Sequence, residues 1–172
     1  KGYLEIFEAL SKFSIPYIYT VVGQYQTDIA HRSSADEKTE MELIYTTGKK
    51  LLGDKLQFVG NQNNITSYYQ NNDFLLHGAF QEGVPNTLLE AMAVGLPVIC
   101  RRLEGIQGEI LEPGINCMQF DSRLELVDII ENKIQQEEIL NELVINARNK
   151  IKDCTFEDII PKLAQCLFKN DE

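Results

Sequence analysis

Apolar residues recur along the chain in two alternating rhythms. Tyr3, Leu4, Phe7, Leu10 and Phe13 fall at helical spacing, and after Pro16 comes "YIYTVVG", a continuous run rich in β-branched and aromatic residues. The spacing predicts a helix followed by a buried strand. Residues 24 to 35 are polar and read as an exposed loop, and "DEKTEMELIYTTGKKLLG" reads as a helix. Gly48 weakens that helix by roughly 1 kcal/mol relative to alanine, and Gly53 is its expected stop. "KLQFVG" then predicts a strand, "NITSYYQNN" a short helix and "DFLLHG" another strand.

The pattern continues in the second half. Pro85 and Asn86 open a helix whose apolar stripe is Leu88, Leu89, Met92 and Ala93; Gly95 ends it, Pro97 blocks its continuation, and "PVIC" comes next as a buried strand. "NCMQF" is the last candidate strand. Asp121 or Ser122 caps a helix carrying Val127, Ile130 and Ile134, and Leu140, Val144, Ala147 and Ile151 mark the next. A terminal amphipathic helix is expected from about 157 to 168. Continuous apolar strands separated by helices imply an α/β fold, a Rossmann-like parallel sheet with helices on both faces. Such sheets bind ligands beyond the carboxyl ends of their strands.

The length of 172 residues, with 44% hydrophobic and 24% charged residues, fits one domain over residues 1–172 with a sizeable core. Twenty-six acidic residues against 16 basic ones give a net charge of −10, which disfavours nucleic acid as a partner. Cys100, Cys117, Cys154 and Cys166 lack metal-binding spacing and read as reduced, buried or idle thiols. With no apolar run long enough to span a bilayer and no leader pattern, the expected location is cytoplasmic.

The stretch "QEGVPNTLLEAMAVGLPVI" carries the candidate chemistry. Glu82 lies in the loop that leaves the strand "DFLLHG", and Glu90 lies about one turn into the next helix, roughly 6 Å along its axis. Because Cα–Cβ bonds tilt toward a helix N-terminus, Glu90 can lean back toward that loop, so both carboxylates can face one cleft. Gly83 admits a ligand close to the backbone, and the free N–H groups at the helix start favour an anion. Two hydroxyl-binding carboxylates flanking a phosphate site suit a phosphorylated sugar. The spacing by itself favours the plainer account, in which Glu90 is a helix-favouring surface residue and Glu82 a solvated loop charge.

The full string "EGVPNTLLEAMAVGLPVI" resembles the E-x7-E signature of the retaining glycosyltransferases of family 4 (group 1). "KGYLEIFEAL", "YIYTVVG", "LQFVGNQNNITSYYQNNDFLL" and "EGIQGEILEPGINCMQF" are similar to further segments of that family. The resemblance implies the C-terminal, donor-binding half of a GT-B fold enzyme, with its first strand missing along with the N-terminal acceptor domain. It implies that Glu82 binds the transferred sugar as the catalytic glutamate and that Glu90 binds the nucleotide ribose. By the same resemblance the amides of Gly83 and Val84 and the charge of Lys1 take the diphosphate, while Val59, Gly60 and Asn61 lie near the base. Glu109 matches a recurrent family glutamate without an assigned role, and His77 ends a strand near the cleft, either as a sugar contact or as a structural histidine.

The resemblance further implies a nucleoside-diphosphate sugar as donor substrate, UDP- or GDP-linked, and metal-independent transfer with no cofactor. The product would be a cell-surface polysaccharide or glycolipid, with peripheral contact at the inner membrane face through the missing half. The fragment alone should not transfer sugar. Gly78 and Ala79 depart from the family's Pro-Ser. Arg101 and Arg102 read as solvated loop residues, and Tyr68 and Tyr69 as core and rim. Two other readings stay open: a nucleotide-sugar epimerase domain and a catalytically inactive regulatory binding module.

Overall fold

The computed structural model describes residues 2–23, 35–83, 85–103, 108 and 110–152. Helices and parallel strands alternate through it: α1 (Tyr3–Leu10), β1 (Tyr19–Val22), α2 (Ala35–Leu52), β2 (Leu56–Gly60), α3 (Ile65–Gln70), β3 (Leu75–His77), α4 (Asn86–Val94), β4 (Val98–Arg101), β5 (Met118–Phe120), α5 (Arg123–Asp128) and α6 (Glu137–Ile151). A 3-10 turn at Gly53–Lys55 joins α2 to β2, and a π-turn at Ile129–Lys133 prolongs α5. The terminal helix expected at 157 to 168 and the polar loop at 24 to 34 lie outside the described residues, as do Lys1, Val84, Glu109, Cys154 and Cys166.

Among the described residues the strands form two parallel sheets, β1–β2 and β3–β4–β5. Consecutive residues of both β1 and β3 line an apolar cleft of about 420 Å³. Neighbouring residues of a strand point to opposite faces, so both lining the same space means that each strand presents its edge there. One further parallel strand in that cleft would join the two sheets.

Alternation along the strands builds two cores. Ile99, Met118 and Phe120 face one side, where they meet Phe7 and Leu10 of α1, Ile44 of α2 and Leu126 of α5. Val98 and Cys100 face the other, against Tyr69 of α3, Leu88, Ala91 and Met92 of α4, and Ala147 of α6. Helices therefore cover both faces, as the continuous apolar runs predict.

Local chemistry fixes the helix ends. The Ser122 hydroxyl accepts from the Glu125 amide at 3.3 Å, which makes Ser122 the cap of α5, and the Glu125 carboxylate reaches back past the cap to accept from the Asp121 amide at 2.8 Å. Gly95, at φ 82°, closes α4 in a Schellman motif, with Leu96 N donating to the Ala91 carbonyl and Gly95 N to that of Met92. Arg148 of α6 adds a bond to the Val94 carbonyl at 2.7 Å. Gly48 has a packing role that periodicity does not reveal: a Cβ there would come within 2.5 Å of Leu56 and 2.8 Å of Phe7. Its helix-propensity cost accompanies the close approach of α2 to α1 and β2.

Candidate functional site

The start of α1 meets the loop that leaves the carboxyl end of β3 and leads into α4. α1 begins at Gly2, whose backbone is left-handed at φ 73° and lies directly against the carbonyl of Gly78, the residue immediately after β3. The contact is backbone to backbone, so glycine at both positions lets the helix start sit on the loop. The first-turn amides of α1 have no partners within the helix, which leaves a partial positive charge beside residues 78 to 83.

That loop is anchored beyond the glycine pair. Ala79 is buried. Phe80 is 64% exposed yet lies over the guanidinium of Arg101, 4.2 Å from ring centroid to Cζ. Arg101, at the end of β4, is only 7% exposed: it is ion-paired with Glu5 in the first turn of α1, donates to the Asp121 carbonyl at 2.8 Å, and has Phe120 on another side at 5.1 Å. The expectation that Arg101 is a solvated loop residue is therefore corrected. The β4 strand runs one residue past "PVIC", which carries Arg101 into the interior where it ties α1, the β3–α4 loop and β5 together. Arg102 does lie at the surface, paired with Asp121 at 3.0 Å.

Glu82 is half-buried in this loop and Gly83 is exposed. A Cβ on Gly83 would meet no described atom within 4 Å, and its φ is not in the left-handed range. Internal packing thus demands glycine at positions 2 and 78 but not at 83, where the backbone is simply open to approach from outside.

Glu90 is exposed on α4, and its Oε2 accepts a 2.8 Å hydrogen bond from the hydroxyl of Tyr69 on α3. The side chain is thus tied to the neighbouring helix, a contact the tilt argument does not foresee. Tyr69 is 6% exposed, with its ring in the second core. Burial first, then the bond and charge of Glu90, push its phenol far above the usual tyrosine range, so the hydroxyl remains a donor at any physiological pH. The reading of Tyr69 as a core residue is correct, but its polar tip escapes a reading by periodicity. The only sequence signal was the residue type, since buried tyrosine hydroxyls seek partners.

At the end of β2, the Val59 carbonyl accepts from Gln62 Nε2 at 2.6 Å, and Gly60, at φ 70°, accepts through its carbonyl from the Gly23 amide at 2.9 Å. Asn61 is exposed and leads toward α3, whose cap is Asn64. His77 is half-buried at the end of β3 and lines the cleft between the two sheets. Cys100 and Cys117 are buried neighbours, and their mutual hydrogen bond, together with burial, pushes the Cys100 thiol well above its ordinary range. Both are inert structural thiols. Among the described residues no cluster of three or more His, Cys, Asp or Glu could hold a metal ion, and no helix is long and apolar enough to cross a membrane.

Solved structures share this architecture. Anabaena Alr3699/HepE, crystallised with UDP and glucose, superposes with a TM-score of 0.80 at 21% identity, over 97% of this chain and 44% of that one. The C-terminal domain of LpcC, a glycosyl transferase group 1 family protein from Francisella tularensis, gives 0.66 at 23% identity over 88% and 77%. WaaG, a glycosyltransferase involved in lipopolysaccharide biosynthesis, gives 0.67 at 23% identity over 99% and 44%. This chain spans less than half the length of HepE and WaaG. At these identities the likeness shows the fold, the Rossmann-like C-terminal half of a GT-B glycosyltransferase, which is the fold the sequence implies. No curated protein matches the chain in sequence. The model of the glycosyl transferases group 1 matches residues 1–150, and the chain belongs to that family.

Proposed function

We propose that this chain is the donor-binding domain of a retaining glycosyltransferase that transfers a hexosyl group from a nucleoside-diphosphate sugar to a cell-surface polysaccharide or glycolipid. The observation that supports the reading is the family match over residues 1–150, with Glu82 and the open backbone of Gly83 in the loop whose Gly78 seats the start of α1, and Glu90 on the helix that follows. HepE, which shares the fold, is crystallised with UDP and glucose, and WaaG serves lipopolysaccharide synthesis. Both support the choice of substrate class.

In this reading Glu90 takes the ribose hydroxyls, Glu82 the hydroxyls of the transferred sugar, and Val59, Gly60 and Asn61 the side of the base. The amides of Gly83 and Val84 and the charge of Lys1 hold the diphosphate, supported by the helix termini. The acceptor hydroxyl attacks the anomeric carbon, the bond from that carbon to the diphosphate oxygen breaks, and the departing diphosphate takes the acceptor's proton. Configuration is retained. Fixed amides and dipoles aimed at the leaving oxygen stabilise the charge that develops there, with neither glutamate forming a covalent bond. The acceptor site lies on a domain outside these residues, so the chain by itself binds donor without transferring it.

The test is a titration of the chain and of Glu90→Ala with UDP, GDP and ADP, monitored by amide chemical shifts. Shifts for one nucleotide clustered at residues 82 to 90, and lost in the variant, are expected and would name the base. Absence of binding by all three would sink the donor-site assignment.

A further inference from the structure

We propose that Tyr69 is a positioning residue for Glu90, holding the carboxylate that receives the ribose hydroxyls and linking it to the base side of the site; this rests on the donor-binding reading above. The geometry has three parts. The Tyr69 ring is packed against the core of α4 and β4, so its hydroxyl has a fixed place. That hydroxyl donates to Glu90 Oε2 at 2.8 Å. Finally, α3 begins at Ile65, three intervening residues after Gly60 and Asn61, the segment assigned to the base.

An exposed glutamate on a helix samples many rotamers, and ordering it on binding costs side-chain entropy. A hydrogen bond from a rigid phenol removes part of that freedom before the ligand arrives. The identity of the partner matters as much as its position. Among the described residues no lysine or arginine pairs with Glu90. A cation would neutralise the carboxylate and compete for both oxygens. A neutral phenol fixes one oxygen and leaves the negative charge, the other oxygen and a remaining lone pair for two vicinal hydroxyls. The arrangement suits a neutral diol better than a cationic ligand. It also means that a shift of α3 on base contact would move the ribose carboxylate with it.

A double-variant cycle tests this: the chain, Tyr69→Phe, Glu90→Gln and the double variant are titrated with UDP, GDP and ADP. Glu90→Gln should weaken binding of the preferred nucleotide by about tenfold or more and Tyr69→Phe by about three- to tenfold. The double variant should bind no more weakly than Glu90→Gln alone, because the phenol acts through the carboxylate. Losses that add, or a Tyr69→Phe that binds like the parent while Glu90→Gln is impaired, overturn the positioning role and leave the donor reading standing. A parent that binds none of the three, or a Glu90→Gln without effect, overturns both. Should Tyr69→Phe fail to fold, the buried hydroxyl proton of Tyr69 provides the second readout in the parent. Its NMR resonance should shift on nucleotide saturation, and an unmoved resonance overturns the proposal.

Discussion

Gly2 and Gly78 meet backbone to backbone: a Cβ built on Gly2 would fall inside bonding range of the Gly78 carbonyl, and one built on Gly78 would lie 2.5 Å from Ile6 Cδ1. This pair seats the start of α1 on the loop that carries Glu82. It also bears on the departure from Pro-Ser at positions 78 and 79. Gly78 is matched to its neighbour in α1, and the adjacent Ala79 is buried, so in this chain the departure is accommodated by packing. Gly78→Ala should therefore destabilise the chain by about 1–3 kcal/mol, the usual penalty for inserting a methyl group into a close-packed site. Urea unfolding measures it. A loss under about 0.5 kcal/mol, typical of an unconstrained surface position, would show that the Ile6 side chain yields to the new methyl group and that packing does not require glycine at 78.

Arg101 offers a sharper case. Replacing it with methionine keeps much of the side-chain volume but removes the partner of Glu5, the donor to the Asp121 carbonyl and the cation over Phe80. Glu5 is 26% exposed, so the charge left behind is partly solvated, and losing the ion pair together with the bond to the Asp121 carbonyl should cost about 1–3 kcal/mol. Arg101→Lys should recover only part of this loss, since an ammonium cannot satisfy the carboxylate and the carbonyl while stacking on the ring. Equal unfolding midpoints for the lysine variant and the parent would reduce Arg101 to a point charge.

The contrast between these residues shows which features a sequence makes legible. Order and type of elements emerge from periodicity because α2, β4 and the other long or strongly apolar segments bury a face set by local spacing. Glu82, Gly83 and Glu90 are singled out by the resemblance of their string to the family's E-x7-E signature, which spacing alone does not supply. Contacts between distant segments are another matter. Arg101 lies one residue beyond an obvious strand, and its burial depends on Glu5, 96 positions away. Tyr69 finds Glu90 across 21 residues, from a different helix. Gly48 registers as a propensity defect until Phe7 and Leu56 are seen pressed against it. In each case the deciding partner is supplied by tertiary packing, which no window of neighbouring residues contains.

Gly83 separates stability from ligand binding. Since a Cβ there meets no described atom and the backbone is not left-handed, Gly83→Ala should leave the unfolding free energy within about 0.5 kcal/mol, or raise it slightly by restricting the unfolded chain. A diphosphate held at this amide would meet the new methyl group directly, so nucleotide affinity should fall by about tenfold or more. Calorimetric titration beside thermal unfolding makes the comparison. Unchanged affinity would remove Gly83 from the site, whereas a large loss of stability would mean that the protein itself requires the glycine.

Alkaline pH gives a probe of the buried setting of Tyr69 that needs no ligand. The phenols of Tyr69 and Tyr19 are both pushed far above the usual range, each mainly by burial. A raised folded-state value means that, as pH climbs past about 10, the unfolded chain releases these protons while the folded chain still holds them. Stability is therefore fully present below about pH 10 and declines as pH rises toward the folded-state values. Tyr69→Phe removes one group that ionises only on unfolding, so its stability should fall less steeply than the parent's between about pH 9 and pH 11, by about half a proton in the linkage slope near pH 10 and approaching one proton near pH 11. Tyr19→Phe should flatten the curve in the same way, and the pair together more than either alone. Parallel curves for Tyr69→Phe and the parent would mean that this phenol ionises as readily in the folded chain as in the unfolded one, an outcome incompatible with a buried hydroxyl donating to a carboxylate.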